Sequence, residues 1–170
     1  MRRIAACLVV LAVAGIPEAH GQAKARKPPE VKPVVAEGAS FAEPTGWIRL
    51  DSNQAKTKGW FLPPNSPPAN PNRMIIVDIG KPTAPDAKAT AEGMAKDWGG
   101  VVVNEPTTLD GVAAFHVRVE NRKQGMRPVE GIVVHRGGKA YMLMGGTVPG
   151  LSIAAEFEEV RKAWKWVEKK

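Results

Sequence analysis

Cysteine is almost absent from this chain. The only one, Cys7, lies in an N-terminal segment with the features of a signal peptide. It precedes most of the apolar region, so we interpret it as an ordinary member of that region and not as a lipidation site. The exported chain would then contain no cysteine, which excludes disulfides, thiolate nucleophiles and thiolate metal sites.

Long apolar runs are also missing. The longest, residues 4–16, follows Arg2 and Arg3 and is shorter than the roughly 20 residues that span a bilayer. Pro17 and small residues at 19–23 come next, a pattern typical of a cleavage site. We predict a cleaved signal peptide over residues 1–23, an exported (periplasmic or extracellular) protein and no transmembrane span in the mature chain. The alternative is a short N-terminal anchor helix.

Motifs of the common catalytic and cofactor sites are absent. The sequence contains no G-x-S-x-G, no H-E-x-x-H and no phosphate-binding P-loop. We therefore predict that the protein is not an enzyme and has no cofactor. Nucleic acid is not an expected partner, because the chain is exported and has no aromatic and basic recognition motif.

Positive charge is in excess, with a formal net charge of +7 that falls to +6 without residues 1–23. Much of it lies in residues 24–39, which are rich in proline and lysine, and in residues 162–170. We predict an extended linker over 24–39 and one folded domain over 40–170. This charge favours attraction to anionic envelope components; the alternative is that it only keeps the protein soluble.

Residues 109–147 predict the centre of a sheet. Leu109-Asp110-Gly111 is a turn signal, and three apolar runs follow it, at 112–120, 129–135 and 140–144. Gly137-Gly138 between the last two runs predicts a two-residue hairpin turn. We expect three consecutive antiparallel strands, and another strand at 74–79, covered on both faces because its apolar run is nearly continuous.

Two amphipathic helices are predicted on either side of this region. The first would begin at Thr83 as N-cap, and the second would be capped by Ser152. Apolar residues at helical spacing form one face of each helix. In the first helix this face consists of Ala87, Ala91, Met94 and Trp98. In the second it consists of Ile153, Phe157, Val160, Trp164 and Val167. We expect Phe115 and Phe157 to share one core.

The order of these elements resembles the PsbP-like superfamily. The resemblance rests on Pro44-Thr45-Gly46-Trp47 after a phenylalanine strand, on Leu109-Asp110-Gly111, on the Gly-Gly-Lys-Ala-Tyr hairpin at 137–141, and on a last helix ending near Trp164. It covers about residues 40–166. It implies an α+β fold in which an antiparallel β-sheet is flanked by helices on both faces, an α/β/α sandwich. It also implies an accessory or binding role without catalysis.

One candidate ligand site lies on a single strand. His116, Arg118 and Glu120 alternate with apolar residues and therefore share a face. In a pocket, such a row would bind a small ligand or an anion. The alternative is the solvent-facing side of a half-buried strand.

One candidate metal site lies on the following hairpin. A two-residue turn at Gly137-Gly138 would place His135, Met142 and Met144 on one face. Imidazole and thioether ligands suit Cu(I). The alternative is that the methionines pack in the core.

Docking is the third candidate role. Trp166, Arg73 and the proline-rich loop at 63–73 are features that a partner could bind, since tryptophan and arginine are enriched at binding hot spots. We predict a non-catalytic exported accessory protein that docks to a protein partner or an anionic envelope component. The alternative function is a small-ligand or metal-handling domain that uses the face of His116 or His135.

Overall fold

The computed structural model describes residues 33–50, 58–67, 69–98, 102–119 and 127–168. The predicted signal peptide and most of the predicted linker lie outside these residues. In chain order the elements are β1 (Val34–Ala36), β2 (Ala39–Phe41), β3 (Ile48–Arg49), β4 (Gly59–Leu62), β5 (Arg73–Gly80), α1 (Ala87–Trp98), β6 (Val102–Leu109), β7 (Val112–Val119), β8 (Arg127–Arg136), β9 (Lys139–Thr147), α2 (Ala154–Ala163) and β10 (Lys165–Trp166).

The strands of the described residues form two antiparallel sheets. The larger has the order β3-β4-β5-β9-β8-β7-β6, and the smaller has the order β1-β2-β10. The predicted meander is confirmed as β7, β8 and β9. Its second turn has Gly137 and Gly138 at φ of 57° and 73°, so that Arg136 faces Lys139 and Val133 faces Met142, as the two-residue turn predicts.

Helix α1 covers β6, β7 and β8 on one face of the larger sheet. Its predicted apolar face is confirmed, since Ala91 packs with Val117 and Val133. The predicted N-cap is wrong: Asp86 caps the helix, with its Oδ1 accepting the backbone N–H of Ala89 at 2.7 Å. Asp86 is a better cap than Thr83 because it lies directly before the first helical residue.

Helix α2 covers the opposite face and contributes to the larger core. Phe157, Val160 and Trp164 are buried there with Ile132 and Leu143 of the sheet. Gly145 allows this approach, because a Cβ at that position would lie 3.1 Å from the Phe157 ring and much closer to Ile153. The helix stops at Ala163, so Val167 leaves the predicted apolar face and is 40% exposed.

The expectation of one shared core is wrong. Phe157 belongs to the core under α2, whereas Phe115 packs in a second cluster under α1. The physical reason is the alternation of a strand, which sends Phe115 and His116 to opposite faces. The predicted strand at 74–79 alternates in the same way: Ile75 and Val77 are buried, while Ile76 on the other face is only half-buried.

The domain boundary predicted at residue 40 lies within a hairpin of the structure. Strands β1 and β2 form a hairpin in which Val34 and Ala39 are buried, so the fold begins before residue 40. Glu37 and Gly38 form its turn at φ of 54° and 93°. Strand β10 pairs with β2 and ends the described chain beside this turn, since the Val167 N–H donates to the Gly38 carbonyl at 3.0 Å.

Strand β6 is an edge of the larger sheet and carries Pro106. The two-residue turn after Leu109 makes Leu109 and Val112 a hydrogen-bonded pair, so Pro106 falls in a non-hydrogen-bonded position. Its missing N–H is therefore one that would face outward. The proline removes a donor from the open edge and opposes the addition of a further strand.

Candidate binding sites

The first predicted site residue, His116, lies on the α2 side of β7. Its Nε2 donates to Glu130 Oε1 at 2.9 Å, because a carboxylate only accepts. The imidazole lies parallel to the Phe157 ring, with 6.3 Å between ring centroids. The two paired side chains are 22% and 20% exposed, so the pair is mostly covered by the helix.

Arg118 shares the face of His116, as predicted, but pairs with a different acid. Its Nη2 lies 3.3 Å from Glu105, and both side chains are about half exposed. Glu120 lies outside the described residues. A ligand site made by the three predicted residues therefore stays a prediction.

A small cleft lies beside His116, between the sheet and α2. We call it the His116 cleft; its volume is about 210 Å³. Arg161 and Glu158 line it on the helix side and form an ion pair with each other. This pair lowers the pKa of the Glu158 carboxyl and raises that of the Arg161 guanidinium. Every charged group in the His116 cleft thus has one partner of opposite charge.

The predicted metal ligands lie on the α1 face, as expected from the hairpin register. His135 Nε2 lies 2.9 Å from Thr90 Oγ1, while that hydroxyl donates to the Asp86 carbonyl at 3.1 Å. The hydrogen-bond network therefore assigns the proton to His135 Nε2, which donates to the threonine. Met142 packs in the cluster under α1. Copper binding by His135, Met142 and Met144 stays a prediction.

Trp166, one of the two predicted docking residues, is half-buried and makes contacts on several sides. Its Nε1 donates to the Leu109 carbonyl at 3.0 Å, and its backbone N–H donates to Asp110 Oδ2 at 3.0 Å. The Tyr141 ring meets it edge-on at 4.9 Å, and the Arg136 guanidinium lies 4.7 Å from its ring centroid. A docking role for Trp166 stays a prediction.

Arg73, the other predicted docking residue, is the first residue of β5. Its Nη1 donates to Glu156 Oε1 at 3.0 Å, and its guanidinium lies 5.5 Å from the Trp47 ring centroid. A groove of about 400 Å³ beside it is lined by Pro63, Pro64 and Leu151, among others. The docking role of Arg73 likewise stays a prediction.

A larger cavity, which sequence reasoning missed, lies where the β1–β2 and β8–β9 hairpin turns meet. We call it the hairpin pocket; it has a volume of about 440 Å³. Its lining includes Glu37, Arg136, Lys139, Tyr141, Val167 and Glu168. The Tyr141 hydroxyl donates to the Glu37 carbonyl at 2.9 Å and joins the two hairpins.

Two carboxylates in or near the hairpin pocket have basic partners. Glu37 binds both Lys58, at 2.9 Å, and Lys139. The two lysines lower the pKa of the Glu37 carboxyl to about 2. Asp110 accepts from Lys165 at 2.8 Å and also lies in the field of Arg136; the hydrogen bond from Lys165 is the main cause of its lowered pKa.

Arg136 is the least satisfied of these cations. Its Nη1 is buried and has no hydrogen-bond partner among the described residues. The only signal in the sequence is local, an arginine and a lysine on either side of Gly137-Gly138. Glu37, Asp110 and Trp166 are far away in the chain, so pattern reasoning has no means of placing them together.

Two further properties concern the described residues as a set. Neither α1 nor α2 is long and apolar enough to cross a bilayer. Within the same residues, no group of three or more His, Cys, Asp or Glu side chains is arranged to hold a metal ion.

No protein-family model and no curated protein sequence matches this chain. Several solved structures do match it. The solution structure of cyanobacterial PsbP (CyanoP) from Synechocystis superposes with a TM-score of 0.50 and 17% identity, over 76% of this chain and 86% of that one. The chain has the PsbP-like fold.

Two other structures share this fold. LpqN, involved in cell envelope biogenesis in Mycobacterium tuberculosis, has a TM-score of 0.55 and 13% identity, over 82% of this chain and 86% of that one. A structure from Bacteroides thetaiotaomicron has a TM-score of 0.56 and 14% identity; the match covers 82% of this chain but only 49% of the other. The α+β fold that the resemblance implied is confirmed.

Proposed function

We propose that this PsbP-like protein is an exported, non-catalytic accessory protein that binds an anionic component of the cell envelope. The observation that carries the proposal is the arrangement of charge around the hairpin pocket. In and near this pocket, four basic side chains (Lys58, Lys139, Lys165 and Arg136) meet three acidic ones (Glu37, Asp110 and Glu168), which leaves a small excess of positive charge. A surface of this kind attracts polyanions such as phospholipid headgroups.

Basic residues near the two ends of the sequence also favour binding to an anionic surface. The last two residues, Lys169 and Lys170, follow directly after Glu168 at the rim of the hairpin pocket. The predicted linker before β1 carries four further basic residues. Each lysine or arginine held near an anionic membrane contributes roughly 1 kcal/mol of attraction.

Export and envelope association have separate support. Residues 1–23 have the pattern of a signal peptide. One structure with the same fold, LpqN, is involved in cell envelope biogenesis. The proposal of a non-catalytic role rests on the sequence, which contains no motif of the common catalytic sites.

Vesicle binding tests the proposal. The exported protein is sedimented with vesicles of equal parts phosphatidylglycerol and phosphatidylethanolamine, and with vesicles of phosphatidylcholine as the neutral control. We expect binding to the anionic vesicles at about 0.1 M salt and its loss at about 1 M, because the Debye length falls from ~10 Å to ~3 Å. Equal binding to both vesicles, or none to either, would contradict the proposal.

A protein partner is the second candidate, and the groove at the proline-rich loop favours it. This groove lies beside Arg73 and is bordered by Leu151, which is 42% exposed. Affinity capture from an envelope extract, with Leu151→Asp as the matched variant, tests it. Recovery of one stoichiometric partner that the variant loses would favour docking at this groove; capture of the same proteins by both would refute it.

A further inference from the structure

Arg136 occupies an unusual position for a charged side chain. Its guanidinium lies over the Trp166 ring at 4.7 Å, and Trp166 is itself fixed by hydrogen bonds to Leu109 and Asp110. A cation–π contact orients the guanidinium but supplies no acceptor for its N–H groups. The buried Nη1 consequently has no partner among the described residues. Buried polar atoms without a partner are uncommon, and a bound ion or other ligand is one explanation of them. The indole N–H groups of Trp60 and Trp164 also lack a partner among the described residues, but Arg136 is the charged residue of the three.

The surroundings of Arg136 select an anion as that ligand. Asp110, whose carboxylate lies in the field of Arg136, is already occupied by Lys165 and by the backbone N–H of Trp166. Across the hairpin pocket, Glu37 is occupied by Lys58 and Lys139. Glu168, at the rim, is exposed. The positive charge of Arg136 is therefore incompletely compensated where it borders the pocket.

The shape of the pocket points to an esterified group and not to a bare ion. A volume of about 440 Å³ lies within the range of sites for small organic ligands. Tyr141 and Val167 give part of the wall apolar carbon, while Arg136 and Lys139 stand on either side of the Gly137 turn. An arginine fork matches the geometry of phosphate oxygens, and a lysine adds a second charge.

We propose that the hairpin pocket binds a phosphate ester, with Arg136 as the main ligand of the phosphate and Lys139 as the second. The identification of that ester as an envelope lipid headgroup rests on the proposed function, whereas the phosphate site itself does not. A free phosphorylated metabolite has the same chemistry and is the other source.

Isothermal titration with glycerol 3-phosphate tests the site itself. Glycerol, which lacks the phosphate, and glycerate, which replaces it by a carboxylate, are the matched probes. We expect glycerol 3-phosphate to bind and both controls to bind at least tenfold more weakly. Equal binding of glycerate would overturn the phosphate assignment, and failure of glycerol 3-phosphate to bind would overturn the site.

Variants locate the binding. We expect at least a tenfold loss of affinity in Arg136→Gln, a smaller loss in Arg136→Lys, which keeps the charge without the fork, and about threefold in Lys139→Gln. Lys88→Gln removes an equal charge from exposed α1, on the other face of the sheet, and is expected to bind as the parent does. Unchanged affinity in both Arg136→Gln and Lys139→Gln would refute the assignment, and the lysine variant serves if the arginine variant does not fold.

Vesicle sedimentation with the same variants separates the two proposals. A loss of binding to phosphatidylglycerol vesicles in Arg136→Gln identifies the lipid headgroup as the ester. Retained vesicle binding together with lost glycerol 3-phosphate binding supports a free ester in the pocket and leaves envelope attraction to the rest of the basic surface. If vesicles bind but glycerol 3-phosphate does not, the pocket inference fails while the proposed function stands.

Discussion

The His116 cleft and the hairpin pocket differ in how their charges are partnered. In the first, His116 pairs with Glu130 and Arg161 pairs with Glu158, so each charge has one partner. In the second, Glu37 is shared by Lys58 and Lys139, and Arg136 keeps a buried N–H without an acceptor among the described residues. The cleft resembles a completed structural contact, whereas the pocket has capacity for one more anion.

The difference shows that residue type is a poor guide to a site in this fold. A histidine with an acid beside it suggests chemistry, yet both described histidines have structural partners, Glu130 for His116 and Thr90 for His135. Among the charged side chains of the described residues, the one with a buried, unpartnered N–H is Arg136, on a hairpin.

Removing the aromatic wall of the His116 cleft should lower the free energy of unfolding more than any other change considered below. Phe157 is 2% exposed and lies against the His116 ring, so Phe157→Ala leaves a cavity in the larger core. We expect the free energy of unfolding to fall by about 3–5 kcal/mol. Urea denaturation followed by tryptophan fluorescence measures it. A loss below about 1 kcal/mol would mean that α2 is not packed as described.

Removing the ring under Arg136 should lower the stability less, because Trp166 is only half-buried. We expect Trp166→Ala to lower the free energy of unfolding by about 2–3 kcal/mol, near the lower end for loss of a large aromatic side chain. Trp166→Phe keeps a ring under Arg136 but loses the hydrogen bond to Leu109, at about 1 kcal/mol. Equal losses in both variants would show that the ring contributes nothing beyond its N–H.

The ionic pair of the His116 cleft should couple weakly but measurably. In a double-mutant cycle with His116→Gln and Glu130→Gln, we expect a coupling free energy of about 1 kcal/mol, since the pair is mostly covered. The more exposed Arg118 and Glu105 pair is the control and should couple by only about 0.3 kcal/mol. A larger coupling in the exposed pair would contradict the burial described for His116.

The shared carboxylate of the hairpin pocket should appear in the pH dependence of stability. The pKa of Glu37 is lowered from 4.5 to about 2 by its two lysines, so its stabilising effect is complete above about 4.5 and is lost as pH falls toward 2. We expect the melting temperature of Glu37→Gln to lie below that of the parent at neutral pH, and the difference to shrink over that range. A difference independent of pH would exclude an ionic cause.

The sequence contained enough information for the local structure of the fold. The Gly137-Gly138 turn set the hairpin register, and the helical spacing of Phe157, Val160 and Trp164 identified one core. It was insufficient where distant segments meet. The β1–β2 hairpin before residue 40 has its place because it pairs with β10, more than a hundred residues later, and no local pattern encodes that contact.

For the candidate sites too, local features were predictable from the sequence and contacts between distant segments were not. The faces of His116 and His135 were predicted, because alternation along a strand is local. Their partners on α2 and α1 were not, because they depend on how each helix lies on the sheet. The hairpin pocket depends on three separate parts of the chain and had no signal beyond the charged residues beside a glycine turn.

Chemical-shift mapping of a glycerol 3-phosphate titration tests the contrast between the two regions most directly. The Trp166 indole N–H and the Gly137 amide report on the hairpin pocket, and the His116 ring reports on the cleft. We expect saturable shifts at Trp166 and Gly137 with His116 unmoved. Saturable shifts at His116 with Trp166 unmoved would contradict it.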